Sequence, residues 1–300
     1  MRGVIGCALL LAVASLGGCR PGGGGADSAL LSTRATRLAN AMANPDSLDP
    51  EKPVALWKLP ATLKELSGLA LTSDGRLLTH GDEKGRVFEI DYRRGVVVKS
   101  FTVGTPMVHG DFEAITVVRD TILLLTSDGK IYRFLEGADK STVPFTMTDT
   151  RLGSRCEFEG MAFDSTANTL LLACKVVRDA SLKGNVVIFR LPLNAAAPGD
   201  SSASAILRIP LTDIAQAGEW GNFHPSEITI DPATGNYLLV SGMEEGLLEV
   251  TPQGSIVRAR ALSKEHEQSE GIAITRDHLM IISDEAKKGP ARITLYPRLQ

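Results

Sequence analysis

Glu159-Gly160-Met161-Ala162-Phe163 is one copy of a phrase that occurs five times in this 300-residue chain. The others are Ser67-Gly68-Leu69-Ala70-Leu71, Glu113-Ala114-Ile115-Thr116-Val117, Ser226-Glu227-Ile228-Thr229-Ile230 and Glu270-Gly271-Ile272-Ala273-Ile274. The shared pattern is Ser or Glu, a usually small residue, an apolar residue, Ala or Thr, and a second apolar residue. Successive copies start 46, 46, 67 and 44 residues apart. A period in the mid-forties is that of a four-stranded propeller blade.

The surroundings of each copy agree with that reading. A turn follows every copy, as at Ser73-Asp74-Gly75 and Asp231 to Gly235, and a second apolar run follows every turn, as at Ile122 to Leu125 and Leu279 to Ile282. Third strands are expected at Arg86 to Ile90, Lys130 to Phe134, Val186 to Leu191, Gly246 to Val250 and Arg292 to Tyr296. Fourth strands are expected at Val96 to Phe101, Val143 to Met147, Ala205 to Ile209 and Ser255 to Ala259. The fifth unit lacks a fourth strand, while Val54 to Leu59 is a strand-like orphan ahead of the first unit. That orphan can complete the last blade and close the ring. The expected fold is therefore all-β: a single propeller of five four-stranded blades, closed by an N-terminal strand. Six blades require a degenerate unit inside the 67-residue interval, which longer loops at Val176 to Lys183 and Leu211 to Phe223 explain more simply.

In a propeller the first strand of each blade lines the central channel, and the second strand returns to the face where the first began. The first repeat position, Ser67, Glu113, Glu159, Ser226 and Glu270, should thus ring one channel mouth, with Glu227 beside it. Asp82, Asp128, Glu244, Asp284, His109 and His224 are expected nearby. Crowded carboxylates need protons, cationic side chains or a metal ion to offset their charge. Calcium takes six to eight oxygens and suits Glu, Ser and water, so Glu113, Glu159, Glu270, Ser67, Ser226 and Glu227 are candidate calcium ligands. Such glutamates also serve as strand caps or as partners of Arg155, so recurrence alone does not decide between these roles.

The N-terminus reads as an address. Met1-Arg2 is followed by a mostly apolar run, Val4 to Leu16, of signal-peptide length and too short to span a bilayer. It ends in Leu16-Gly17-Gly18-Cys19, which resembles the bacterial lipobox. Residues 1–18 are thus expected to be a lipoprotein signal, with acyl chains attached to Cys19. Residues 19–53 read as a tether holding one short helix at Ala26 to Asn44, and residues 54–300 as the propeller. Arg20 after the cysteine favours the outer membrane, facing the periplasm. Outside the cytoplasm Cys156 and Cys174, at one end of the third unit's first two strands, are expected to form a disulfide.

Composition sets the outer bounds. Lys plus Arg is 32 against 35 Asp plus Glu, a net charge of -3 that offers no basic footprint for nucleic acid. No Gly-x-Ser-x-Gly elbow, P-loop or His-Glu-x-x-His occurs. His80, His266 and His278 are isolated in sequence, and Trp57 and Trp220 read as packing or loop anchors.

Leu66-Ser67-Gly68-Leu69 with Asp82-Glu83-Lys84-Gly85-Arg86-Val87 resembles the opening blade of the SdiA-regulated (YjiK-like) proteins. Glu113-Ala114-Ile115, Glu159-Gly160-Met161, Pro225-Ser226-Glu227-Ile228 and Gln268-Ser269-Glu270-Gly271-Ile272-Ala273, followed by Ile281-Ile282-Ser283-Asp284-Glu285, are similar to its later blades. The resemblance spans roughly Val54 to Pro297. It implies an envelope-associated propeller, with calcium in or near the channel at Glu113, Glu159 and Glu270. Ser67 and Ser226 stand where other copies carry Glu, so a full carboxylate ring is not expected. Two functions follow as expectations, beside a third in which the loops, above all Leu211 to Phe223, serve as a scaffold for another envelope protein. One is a monomeric, lipid-anchored propeller that binds a cation and a small ligand or envelope protein at its mouth. The other is a metal-dependent hydrolase, a phytase-like phosphoesterase or a lactonase, in which His224 or a spare carboxylate moves the proton.

Overall fold

The computed structural model describes residues 24–43, 48–193 and 205–298. The lipobox and Cys19 lie outside the described residues. Among the described residues twenty-one strands form five sheets, each antiparallel around four strands and each corresponding to one repeat. Blade 1 is β2 (Leu66–Leu71), β3 (Leu77–Gly81), β4 (Arg86–Asp91) and β5 (Val96–Val103). Blade 2 is β6 (Phe112–Val118), β7 (Thr121–Thr126), β8 (Lys130–Leu135) and β10 (Thr146–Asp149). Blade 3 is β11 (Cys156–Asp164), β12 (Thr169–Val177), β13 (Asn185–Pro192) and β14 (Ala205–Pro210). Blade 4 is β15 (Glu227–Ile230), β16 (Tyr237–Ser241), β17 (Gly246–Val250) and β18 (Ile256–Ala261). Blade 5 is β19 (Ser269–Ile274), β20 (Leu279–Asp284), β21 (Arg292–Pro297) and, from the other end of the chain, β1 (Ala55–Lys58). The inner strands β2, β6, β11, β15 and β19 pack each against the next, and β19 returns to β2. The ring is closed, and β1 pairs β21 in the register Ala55 with Leu295 through Lys58 with Arg292, as the orphan strand predicted.

The continuous apolar runs make sense in this arrangement. Successive residues of a strand point to opposite faces, and both faces of a blade are buried against neighbours. In β7, Ile122 and Leu124 pack towards blade 1, and Leu123 and Leu125 towards blade 3. In β20, Met280 and Ile282 face blade 4, whereas Leu279 and Ile281 face blade 1. Each of the five gaps between blades therefore holds its own apolar cluster.

Three details add to or differ from the sequence reading. The expected fourth strand of blade 2 is split: β9 (Thr142–Val143) joins the edge of blade 1 parallel to β5, and β10 starts at Thr146. Pro144, which has no N–H to donate, sits at the break. The long interval adds no sixth sheet among the described residues; α2 (Leu211–Gly218) occupies part of it and buries Ile214 with Trp220 and Phe223 nearby. The helix in the N-terminal segment, α1 (Gly24–Met42), is docked. Leu38 is buried and Met42 half-buried against the cluster of blades 5 and 1, and the Arg34 guanidinium lies 5.0 Å from the Trp57 ring centroid. Trp57 in turn donates from Nε1 to the Tyr92 carbonyl at 2.7 Å and packs on Gly95, the anchoring role expected of it.

Candidate functional site

Four of the five inner strands carry a β-bulge at the start of the repeat. The pairing with the second strand slips between Leu66 and Leu69, Phe112 and Ala114, Phe158 and Gly160, and Ser269 and Gly271. The residues left without a ladder partner include Ser67, Glu113, Glu159 and Glu270. A bulge re-aims the side chain it carries, so the repeat places its polar position where the sheet cannot claim it. Glu159 is buried, and Glu113 and Glu270 are half-buried.

One cation enters this group. Lys175 Nζ, from β12, lies 2.7 Å from Glu159 Oε1. Burial works against the ammonium charge, but Glu159, Glu270 and Glu113 outweigh it and hold its pKa up. Burial pushes the Glu159 carboxyl up, and Lys175 opposes the rise. Glu113 has no comparable partner. Burial, then the charges of Glu159 and Asp111, raise its pKa to about 9, and burial with Glu159 raises Glu270 to about 7. At neutral pH the mouth therefore combines an ion pair, a neutral acid and a carboxyl near its midpoint. Arg155, expected as a partner of these glutamates, instead turns away to Asp179 at 2.9 Å.

The remaining predicted ligands are placed differently. The Ser226 hydroxyl is buried and donates to main-chain carbonyls of Val240 and Ser269. Ser67 donates towards the Glu65 carbonyl at 3.4 Å. Glu227 is fully buried and leaves the mouth altogether. From blade 4 its carboxyl crosses the axis: Oε1 accepts from the amides of Ile228 at 2.9 Å and Met161 of blade 3 at 3.1 Å, and Oε2 reaches Gly68 of blade 1. The other copies have Gly68, Ala114, Gly160 and Gly271 at this second position; a β-carbon on Gly68 would meet the Glu227 carboxyl at 3.0 Å, and one on Gly160 would meet the Glu227 backbone. Burial drives its pKa well above the usual carboxylate range, against the opposing amides. His80, isolated in sequence, is also fully buried on the axis; burial lowers its pKa to about 4, so it is neutral. The sequence signal for this arrangement is the single Glu among four small residues.

Of the outlying groups, His224 Nδ1 is 2.7 Å from Glu244, and Asp128 is paired with Lys130. Asp284 is buried between His266, 2.9 Å away, and Arg292, 3.2 Å away, while His266 Nε2 lies 2.7 Å from the Tyr296 hydroxyl. Those contacts hold structure together. Cys156 and Cys174 form the expected disulfide, with Cα atoms 5.7 Å apart.

Calcium's six to eight oxygens are not assembled. Among the described residues no three His, Cys, Asp or Glu side chains are placed to hold a metal ion. A cavity of about 1100 Å³ lies at the opposite end of the channel, beyond Glu227. Its size alone would nominate it as the binding site. The perturbed carboxylates are at the other mouth, and that mouth is the stronger candidate for proton chemistry.

No family model and no curated protein matches this sequence. Solved structures do share the architecture. They include the glutaminyl cyclase of Myxococcus xanthus (TM-score 0.55, 11% identity, covering 83% of this chain and 97% of that one). The PQQ-bound aldose sugar dehydrogenase of Streptomyces coelicolor gives a TM-score of 0.52 at 14% identity, over 83% of this chain and 99% of that one. A luciferin-regenerating enzyme gives 0.51 at 8% identity, over 83% and 96%. At these identities the likeness concerns the fold, which several enzymes share.

Proposed function

We propose that this chain is a cell-envelope β-propeller of the SdiA-regulated type, lipid-anchored through Cys19, whose glutamate mouth binds a small positively charged ligand. The observation that carries the reading is the imbalance of Glu113, Glu159 and Glu270 against the one ammonium of Lys175. Glu159 is answered by that lysine, while burial and then the charge of Glu159 hold Glu113 and Glu270 towards their acid forms. A cationic ligand supplies the missing charge and expels their protons.

Calcium is the smallest ligand of this class. The described side chains do not complete its coordination shell, so an organic cation competes with it for the assignment. The test is calorimetric titration of the purified protein at pH 7 with calcium chloride and with the diamine putrescine, in two buffers of different ionisation enthalpy. Binding with proton release, lost in a Glu113→Gln, Glu270→Gln variant, supports the reading. Absence of heat with both ligands defeats it.

The split between Glu113 near 9 and Glu270 near 7 favours hydrolysis as a second reading, because one fold then offers both an acid and a base at neutral pH. A lactone or simple ester suits the site better than phytate, since Arg155 is engaged by Asp179 and Lys175 is the cation at the mouth. Turnover of esters or lactones that disappears in Glu270→Gln would establish it. Docking of an envelope protein on residues 211–223 has less to recommend it, because Ile214, Trp220 and Phe223 turn into the core.

A further inference from the structure

The glutamates account for the first position of the repeat and Glu227 for the second, but the fifth position has no role in either. Leu71, Val117, Phe163, Ile230 and Ile274 lie at or one residue before the ends of the inner strands, pack on the clusters between blades and line the 1100 Å³ cavity at the far mouth. Four of them are half-exposed there, and Ile274 is buried. Five blades thus build an apolar throat that nothing in the described chain fills.

The charges around that throat are unequally satisfied. Asp74 is bound by Arg76 at 2.9 Å, and Asp164 accepts from the Tyr237 hydroxyl at 2.8 Å. Asp231 is paired with Arg298 at 2.8 Å, and Asp277 with Arg93 at 2.6 Å. Every acid lining the cavity therefore has its partner. Arg119 and Arg276, both exposed on the turns that rim it, have no side-chain hydrogen bond or ion pair among the described residues. Both are arginines, whose planar guanidinium suits carboxylate or phosphate oxygens. A volume of this order also suits a small organic ligand.

We propose that the far mouth is a second ligand site that takes an amphiphilic anion. Its apolar body enters the throat formed by Leu71, Val117, Phe163, Ile230 and Ile274, and its anionic head meets Arg119 and Arg276. Glu227, buried across the axis, separates this site from the glutamate mouth, so the two ends of the channel carry opposite preferences.

The test is calorimetric titration with decanoate and decyl phosphate, with decyltrimethylammonium as the control of opposite charge. The anions are expected to bind and the cation not. Arg119→Gln with Arg276→Gln should weaken anion binding at least ten-fold, whereas Arg151→Gln, an exposed arginine at the other end of blade 2, should not change it. Circular dichroism and an unchanged melting temperature would show that the double variant is folded. Comparing the two anions tells whether the head is a carboxylate or a phosphate. Absence of binding by both, equal binding of the cation, or wild-type affinity in the folded double variant would overturn the proposal.

Discussion

Glu227 Oε2 and His80 Nε2 converge on one point, each 3.0 Å from where a β-carbon on Gly68 would lie. Both atoms are buried; His80 Nε2 has no hydrogen-bond partner, and the Leu69 amide is the nearest donor to the Glu227 carboxyl on this side. Any side chain at residue 68 would therefore press on two polar groups with nowhere to retreat. On the far side of the same carboxyl, a β-carbon on Gly160 would come 2.8 Å from the Ile228 nitrogen, which belongs to the backbone and cannot turn aside.

From this packing, Gly160→Ala and Gly68→Ala should both destabilise the protein, by about 1–3 kcal/mol, with Gly160→Ala the more costly. Neither glycine has the positive φ that would add a backbone cause. Gly221→Ala is the control, because nothing lies within 4 Å of a β-carbon there. Urea unfolding of the three variants measures the order. Equal stability of all three would mean that the axis can open to accept the extra methyl groups.

The acidic mouth makes stability depend on pH in a definite direction. In the folded chain Glu113 keeps its proton up to about pH 9, and Glu270 up to about 7, whereas unfolded glutamates ionise near 4.5. The stability these groups contribute is full below 4.5 and is lost as pH rises through 7 and then 9. Glu113→Gln removes its share of that loss. The variant should gain on the wild type as pH rises from 5 to 9, by on the order of 2 kcal/mol at the upper end. Urea melts at pH 5, 7 and 9 read the difference, and a constant offset at all three would contradict the assignment.

The blades were legible because burial on both faces forces apolar runs, and a five-residue phrase marks where each inner strand starts. Glu113, Glu159 and Glu270 were legible for the same reason. Their bulges were not, since a slipped register leaves no trace in the residues that carry it. His80 escapes a reading by repeats because it stands on a second strand and has no counterpart in the other copies. Glu227 was visible at the right position but read as a ligand. Only the three-dimensional view shows that its carboxyl turns inward to the Met161 amide and to Gly68. Docking of α1 was hidden for a different reason: its apolar residues are few, and Leu38 finds its partners in two distant blades.

The disulfide ties β11 to β12 at the glutamate end of blade 3, beside Glu157 and Glu159 on one strand and Lys175 on the other. It closes a span of 18 residues. In the chain-entropy account such a link contributes about 3 kcal/mol. A Cys156→Ser, Cys174→Ser variant should therefore unfold at lower urea by an amount of that order, and its Lys175–Glu159 pair should become less well held. Mass analysis under non-reducing conditions should find neither cysteine open to alkylation. Two reactive thiols in the untreated protein would rule the bridge out.

Because β1 enters blade 5 from the opposite end of the chain, the ring depends on a seam, and α1 lies over it. Leu38 is only 4% exposed and packs among side chains of blades 5 and 1, and Arg34 donates to the Arg94 carbonyl at 3.1 Å while covering Trp57. Truncating Leu38 removes apolar surface from that contact and leaves a gap the helix alone can relax. Leu38→Ala should cost about 2 kcal/mol, at the low end for a buried leucine, because the helix can lift away while the blades stay folded. The lifted helix loses its support, so limited proteolysis should cut the variant within α1 faster than the wild type, at nearly unchanged far-ultraviolet circular dichroism. Cleavage at the wild-type rate would mean that α1 does not guard the seam.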